Sequence, residues 1–161
     1  MDSATVYLFD TSALLALLRG KQLGVYLNET FHLDEVLNRP IISIVTHGEL
    51  WALAARNVWP EKKRNVLREM LNDLTTIDLN DPAIIESYVA VDQKNQAHPK
   101  GARQLSDNDK WIAATARAAN ACLLTTDQDF LHLHPDVCLV QYVDPKSRLP
   151  ESPPGEQSAL T

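Results

Sequence analysis

The stretch Thr5-Val-Tyr-Leu-Phe9, followed at once by Asp10, decides the fold. Its β-branched and aromatic residues are typical of a short strand in a sheet. Thr11–Leu18 then carries apolar residues at helical spacing, and this helix is broken near Arg19-Gly20. A strand that passes almost directly into a helix is typical of a parallel sheet whose strands are joined by helical crossovers.

Short apolar runs continue to alternate with helical stretches along the rest of the chain. Further strands are predicted at Ile41–Ile44, Thr75–Leu79, Cys122–Thr125 and Val137–Val143. Further helices are predicted at Leu23–Thr30, Thr46–Asn57, Glu61–Leu74, Pro82–Gln96 and Asp109–Ala119. This order predicts an α/β fold, a three-layer α/β/α sandwich around a central, mostly parallel sheet of about five strands.

The bulk composition is that of one globular domain. The chain has 161 residues, of which 45% are hydrophobic, and no apolar run is long enough for a transmembrane helix. Cys122 and Cys138 lie in apolar runs, and no secretory signal is evident, so we expect a reduced, cytoplasmic protein. We expect the domain to span residues 1–144 and the proline-rich tail, 145–161, to be disordered.

The acidic side chains are placed in a way that suggests a shared site. Asp10 follows the first strand, Glu49 and Asp109 lie in the first turns of two helices, and Asp127 and Asp129 follow another strand. Strand ends and the helix starts that follow them share one edge of a parallel sheet, and ligands bind there. Carboxylates gathered at that edge would suit Mg²⁺ or Mn²⁺, which prefer oxygen ligands.

An ordinary structural role is open for the same acids. Acidic residues stabilise helix N-termini through the helix dipole. Thr46 with Glu49, and Ser106 with Asp109, match the pattern of a capping box. The net charge of −6 also argues against a general nucleic-acid-binding protein, although a bound cation would offset a local cluster of acids.

Four blocks of sequence resemble the PIN-domain family, and within it the VapC-like toxins of toxin–antitoxin pairs. They are Leu8-Phe-Asp-Thr-Ser-Ala-Leu-Leu15, Ile42-Ser-Ile-Val-Thr-His-Gly-Glu-Leu50, Asn108-Asp-Lys-Trp-Ile-Ala-Ala-Thr-Ala116 and Leu124-Thr-Thr-Asp-Gln-Asp-Phe130. Each block carries one acid of the family's site, and the blocks occur in the family's order. The sequence departs from the shortest family members in the extra residues 30–38 and in the tail.

The resemblance implies an endoribonuclease that uses one or two Mg²⁺ or Mn²⁺ ions. Catalytic and metal-binding roles are implied for Asp10, Glu49, Asp109 and Asp127, with Ser12 orienting the first acid and Asp129 in a lesser role. It also implies an RNA substrate, a VapB-like antitoxin as partner protein and a homodimer.

Basic and aromatic residues beside the third block are candidates for contacts with RNA. They are Lys100, Arg103, Lys110 and Trp111, and a solvated loop or a core position is the alternative for each. We interpret Asp107 as a helix N-cap and expect His47 to have a surface or partner role. His132-x-His134 lacks an evident third ligand for a metal ion.

Two other functions remain open at this point. The first is an RNA- or protein-binding module that keeps the acidic edge but does not turn over substrate. The second is a phosphatase resembling the haloacid dehalogenases, which also place an aspartate after the first strand. That family expects a second acid two residues later, where this chain has Ser12.

Overall fold

The protein folds around one sheet of five parallel strands in the order β3-β2-β1-β4-β5. The structure is a computed structural model and describes residues 4–100 and 104–151. The strands are β1 Tyr7–Phe9, β2 Ile41–Ser43, β3 Thr75–Ile77, β4 Cys122–Thr125 and β5 Val140–Tyr142. The predicted parallel α/β sheet is therefore confirmed.

Helices cover both faces of this sheet. They are α1 Thr11–Arg19, α2 Gln22–Phe31, α3 Ile44–Arg56, α4 Glu61–Asp73, α5 Pro82–Ala97 and α6 Asp107–Ala118, with short 3₁₀ segments at Val36–Asn38 and Gln128–Leu133. Successive strand residues point to opposite faces. Leu8 and Leu123 pack with α5 and α6, whereas Phe9 and Leu124 pack with α1, α2, α3 and α4. This gives the predicted three layers.

Helix α3 begins earlier than the sequence pattern predicts. Ser43, the last residue of β2, is its N-cap, and the Ser43 hydroxyl accepts a hydrogen bond from the backbone N–H of Val45 at 3.1 Å. The predicted capping box of Thr46 with Glu49 is therefore wrong, because both residues lie inside the helix. Glu49 lies in the second turn, so capping does not account for its presence there.

Helix α6 has the capping box that its sequence suggests. Ser106 is the N-cap, and its hydroxyl accepts from the backbone N–H of Asp109 while the Asp109 carboxylate accepts from the backbone N–H of Ser106. Asp107 is the first residue of the helix and is not its N-cap, as predicted, because Ser106 has taken that position.

The last strand is shorter than predicted. The backbone N–H groups of Val137 and Cys138 both donate to the carbonyl of Leu133, at 3.0 and 3.1 Å, and fold residues 134–139 into a loop. Residues 152–161 of the predicted tail lie outside the described residues. In the part of the chain that the structure describes, no helix combines the length and apolar character needed to cross a membrane.

The strand order fixes where a ligand site should lie. The chain runs outward from β1 through β2 to β3, and then returns to place β4 and β5 on the opposite side of β1. The gap beyond the carboxyl ends of β1 and β4 is the point at which the direction of winding reverses, where open parallel sheets bind ligands.

Candidate active site

Asp10 lies at this reversal point and is held by hydrogen bonds on both carboxylate oxygens. Its Oδ1 accepts from the Ser12 hydroxyl at 2.6 Å and from the backbone N–H of Ala13 at 3.1 Å. Its Oδ2 accepts from the Thr125 hydroxyl at 2.5 Å. The residue is only 4% exposed. The carboxylate is therefore fixed in one orientation by the ends of β1 and β4 and the start of α1.

Burial dominates the electrostatics of Asp10. Loss of contact with water raises the pKa of this carboxyl, although the hydrogen bonds from Ser12, Thr125 and Ala13 act to lower it. The charged form is thus held at a cost, which a nearby positive charge would offset.

Hydroxyl groups of β4 and of the following turn support this arrangement. The Thr126 hydroxyl donates to Ser12 Oγ at 2.8 Å, and the Thr125 hydroxyl oxygen accepts from the backbone N–H of Asp127 at 2.9 Å. Ser12 was expected from the sequence, whereas Thr125 and Thr126 were not. Threonine is ordinary in strands, so only the position of this pair at a strand end, directly before Asp127, could have indicated their role.

Glu49 reaches toward Asp10 from α3 and is oriented by α1. Its Oε1 lies 2.7 Å from the Thr11 hydroxyl, and that hydroxyl lies 3.2 Å from the hydroxyl of Thr46. The single hydrogen of Thr11 can donate to Glu49 while its oxygen accepts from Thr46. Thr11 and Thr46 were not expected as site residues from the sequence.

Asp109 completes a group of three neighbouring carboxylates. Its Oδ2 accepts from the Ser106 backbone N–H at 3.1 Å and from the Ser106 hydroxyl at 2.8 Å. Burial raises the pKa of Asp109, and the negative charges of Glu49 and Asp10 raise it further. The structure therefore brings Asp10, Glu49 and Asp109 within electrostatic reach of one another.

Asp127 and Asp129 lie in the turn after β4. Asp127 Oδ1 accepts from the backbone N–H of Asp129 at 2.9 Å and caps the 3₁₀ segment. Its carboxylate is thus partly used by its own turn. Within residues 4–100 and 104–151, no group of three or more His, Cys, Asp and Glu side chains forms a ready-made metal-binding set. The three neighbouring acids are thus close but are not drawn into ligand geometry.

The residues predicted to contact RNA have different surroundings. Lys110 is not a free cation, because its Nζ lies 3.0 Å from Asp92 and 3.1 Å from Asp107, and its side chain is 9% exposed. Trp111 is half-buried and stacks on Tyr88, with ring centroids 4.0 Å apart. Both are therefore packing residues of α5 and α6. Lys100 is exposed, and Arg103 lies outside the described residues.

The histidines have structural partners. His47 is half-buried and its Nε2 lies 2.7 Å from the Thr76 hydroxyl, so the expected surface role is replaced by a contact with β3. Burial lowers the pKa of His47. His134 Nδ1 accepts from the backbone N–H of Val140 at 3.0 Å, while the ring of His132 packs on that of His98. His132 and His134 therefore engage different partners.

Comparisons with known proteins agree with this architecture. The model of the PIN domain matches residues 7–134. Among solved structures, the DNA-bound VapBC of Salmonella typhimurium aligns with a TM-score of 0.69 and 18% identity over 86% of this chain and 98% of that chain. VapBC2 of Rickettsia felis, bound to a promoter DNA fragment, aligns with a TM-score of 0.68 and 20% identity over the same shares.

VapBC-5 of Mycobacterium tuberculosis, from the VapBC family of toxin–antitoxin systems, aligns with a TM-score of 0.59 and 19% identity over 87% of this chain and 100% of that chain. No curated protein matches the sequence significantly. The structural likenesses show a shared fold, and the match of the family model covers most of the domain. The chain belongs to the PIN domain family.

Proposed function

We propose that the protein is a Mg²⁺- or Mn²⁺-dependent endoribonuclease that hydrolyses RNA phosphodiester bonds. The observation that carries this proposal is the convergence of Asp10, Glu49 and Asp109 at the point where the winding of the sheet reverses, in a chain of the PIN domain family. Asp127 is proposed as the fourth acid, because it follows β4 directly beside Thr125.

The chemistry of these residues suits a hard divalent cation. The mutual repulsion of the three carboxylates and the burial of Asp10 leave negative charge that is poorly compensated by the protein. Carboxylate oxygens are preferred ligands of Mg²⁺ and Mn²⁺, and Mg²⁺ usually keeps several water molecules. Asp10, Glu49, Asp109 and Asp127 would hold one or two such ions, directly or through water.

The chain's own residues would orient the reaction. A bound divalent ion supplies neutralisation of the phosphate and a lowered pKa for the attacking water. Ser12 and Thr125 fix both oxygens of Asp10, Thr11 directs Glu49, and Ser106 holds one oxygen of Asp109. Because each acid is held by a hydroxyl from another position, the acids are kept in place despite their repulsion.

The geometry disfavours the phosphatase alternative. A nucleophilic aspartate needs a free oxygen that can attack phosphorus. Both oxygens of Asp10 already accept hydrogen bonds, and the residue is almost fully buried. A role for Asp10 in charge compensation and positioning fits these contacts better than covalent catalysis.

We further propose that the protein is the toxin of a VapBC-type pair and forms a homodimer that a VapB-like antitoxin inhibits. Support comes from the structural neighbours, which include VapBC assemblies from several bacteria. Growth arrest on expression of this chain alone, relieved by co-expression of a cognate partner, would be the expected result. Sedimentation of the purified chain as a monomer would contradict the homodimer.

Cleavage of a mixed-sequence RNA tests the nuclease proposal. We expect cleavage with Mg²⁺ or Mn²⁺, none with EDTA, and a loss of more than about 100-fold for Asp10→Asn, beyond the 10–100-fold typical of outer-shell changes. Asp34→Asn is the matched control, since Asp34 is exposed and belongs to the loop after α2. Full cleavage in EDTA, or undiminished cleavage by Asp10→Asn, would contradict the proposal.

A further inference from the structure

A groove runs from the acids along one side of α3. It lies between α3 and the start of α6 and has a volume of about 400 Å³. Its lining residues are Val45, Gly48, Glu49, Ala52, Arg56 and Asn108. Because Glu49 is part of this lining and Asn108 precedes Asp109, the groove is continuous with the candidate active site.

The spacing along α3 places opposite charges at the two ends of the groove. Glu49, Ala52 and Arg56 follow one another at helical spacing on the same face of α3. At a rise of 1.5 Å per residue, Arg56 lies about 10 Å along the axis from Glu49. A positive group is therefore set at a distance from the acids and on the same surface.

Small residues keep the groove open between these charges. A Cβ atom added at Gly48 would meet nothing within 4 Å, and Ala52 is the next residue of the lining. Gly48 lies inside a helix, where alanine would be more favourable. The cost of a glycine at this position thus coincides with free space beside Glu49.

Arg56 is available to a ligand in a way that nearby cations are not. It is exposed, and within the described ranges it takes part in no ion pair. Lys110 is held by Asp92 and Asp107, and Lys94 is paired with Asp136. In a chain with a net charge of −6, a free guanidinium beside the acids favours an anionic ligand at that end of the groove.

We propose that this groove, which we call the α3 groove, binds the single-stranded RNA that flanks the cleaved bond. Arg56 contacts a backbone phosphate near the scissile one, and Asn108 offers its amide to a sugar or a base edge. This inference rests on the proposed nuclease function and adds to it the residues that hold the substrate strand beside the acids.

The lining distinguishes RNA from a protein ligand. A helix or strand of a partner protein would need apolar anchor pockets, and Val45 is the only larger apolar residue in the lining. The lining also has no aromatic side chain on which a base could stack. Contacts with phosphate and sugar position a strand without reading its sequence, so the α3 groove itself should discriminate weakly among sequences.

Binding of a fluorescently labelled single-stranded RNA to the full chain tests this inference. The Asp10→Asn background prevents cleavage during a titration followed by anisotropy at several salt concentrations. We expect Arg56→Gln to weaken binding about fivefold and to reduce the salt slope by about 1, as for one lost phosphate contact. Arg19→Gln, the same change of charge at an exposed residue at the end of α1, should leave both quantities unchanged.

A second variant fills the α3 groove without removing a charge. Gly48→Gln should raise the melting temperature, because glycine is unfavourable inside a helix, and should weaken RNA binding by at least as much as Arg56→Gln. A more stable protein with weaker binding cannot be explained by loss of folding. A lowered melting temperature would make Arg56→Gln the deciding variant.

Two outcomes separate this inference from the proposed function. If the wild type cleaves RNA with Mg²⁺ but both variants bind RNA as tightly as the background protein, the α3 groove inference is overturned and the nuclease proposal stands. If the wild type cleaves no RNA yet Arg56→Gln weakens binding with the expected salt slope, the nuclease proposal fails alone. Unchanged RNA binding with a loss of dimer would identify a protein interface and would also overturn the inference.

Discussion

The two sides of the acidic edge differ in how much of their geometry the protein itself supplies. The closed half, Asp10 with Ser12 and Thr125, is buried and has hydrogen bonds on both carboxylate oxygens. The open half, Glu49 and Asp109, has one oxygen of each carboxylate held by a hydroxyl. The difference indicates that one half is a fixed anchor, whereas the other has oxygens available to a cation.

A change in the open half should affect activity without affecting folding. Glu49→Gln keeps an oxygen that can accept from Thr11 but removes a negative charge. We expect RNA cleavage to fall about 100-fold or more, beyond the range of outer-shell changes, while the melting temperature stays the same or rises because repulsion with Asp109 is relieved. Cleavage kinetics and thermal unfolding measure both effects, and a matching fall in stability would remove the distinction between the halves.

A change in the closed half should affect both properties. Thr125→Val has nearly the same shape but removes the donor to Asp10 and the acceptor for the Asp127 backbone N–H. We expect a loss of about 1–3 kcal/mol in the free energy of unfolding and a 10–100-fold loss of cleavage. Thr126→Val, which reaches Asp10 only through Ser12, is the control and should cost less on both counts.

The pH dependence of stability provides an intermediate effect. The raised pKa of Asp10 means that the folded protein holds its proton to a higher pH than the unfolded chain. In EDTA this group's contribution to stability therefore falls as the pH rises from the ordinary aspartate pKa, near 3.9, through the raised one. The fall is about 1.4 kcal/mol for each pH unit that separates the pKa of the folded protein from that of the unfolded chain. The stability of Asp10→Asn relative to the wild type should increase across that window, and a constant difference in unfolding free energy would contradict the burial effect.

The smallest effect is expected at the cap of α6. Ser106→Ala removes the hydroxyl that accepts from the Asp109 backbone N–H and donates to its carboxylate. A lost N-cap should cost about 1 kcal/mol of unfolding free energy. Cleavage should fall only a few-fold, because Asp109 keeps the backbone N–H of Ser106 as a partner. A loss as large as that of Glu49→Gln would show that the cap is part of the chemistry.

The sequence predicted the parts of the molecule that depend on local pattern. The start of α1 and the bounds of β4 are correct, and the position of Asp10 after β1 follows from the order of strand and helix. The start of α3 was misjudged, because Ser43 and Thr46 are both good N-cap residues and only the structure shows which one takes that position. Local rules do not separate two such candidates three residues apart.

Contacts between distant parts of the chain were beyond the sequence. The bond between Thr125 and Asp10 joins residues separated by 115 positions, and it depends on the placement of β4 beside β1. Lys110 was taken for an RNA contact because its pairing with Asp92 requires α5 and α6 to pack together. Local pattern therefore predicted the acids but not their supporting hydroxyls, nor which cations remain free.

The most direct test of the central claim is the binding of Mn²⁺ to the full chain, followed by electron paramagnetic resonance. Asp10, Glu49 and Asp109 are claimed to act on a shared divalent cation. We expect the wild type to bind Mn²⁺ in competition with Mg²⁺, and Asp10→Asn and Asp109→Asn each to bind it at least about 10-fold more weakly, while Asp34→Asn binds it as the wild type does. Unchanged Mn²⁺ affinity in both Asp10→Asn and Asp109→Asn would contradict the claim.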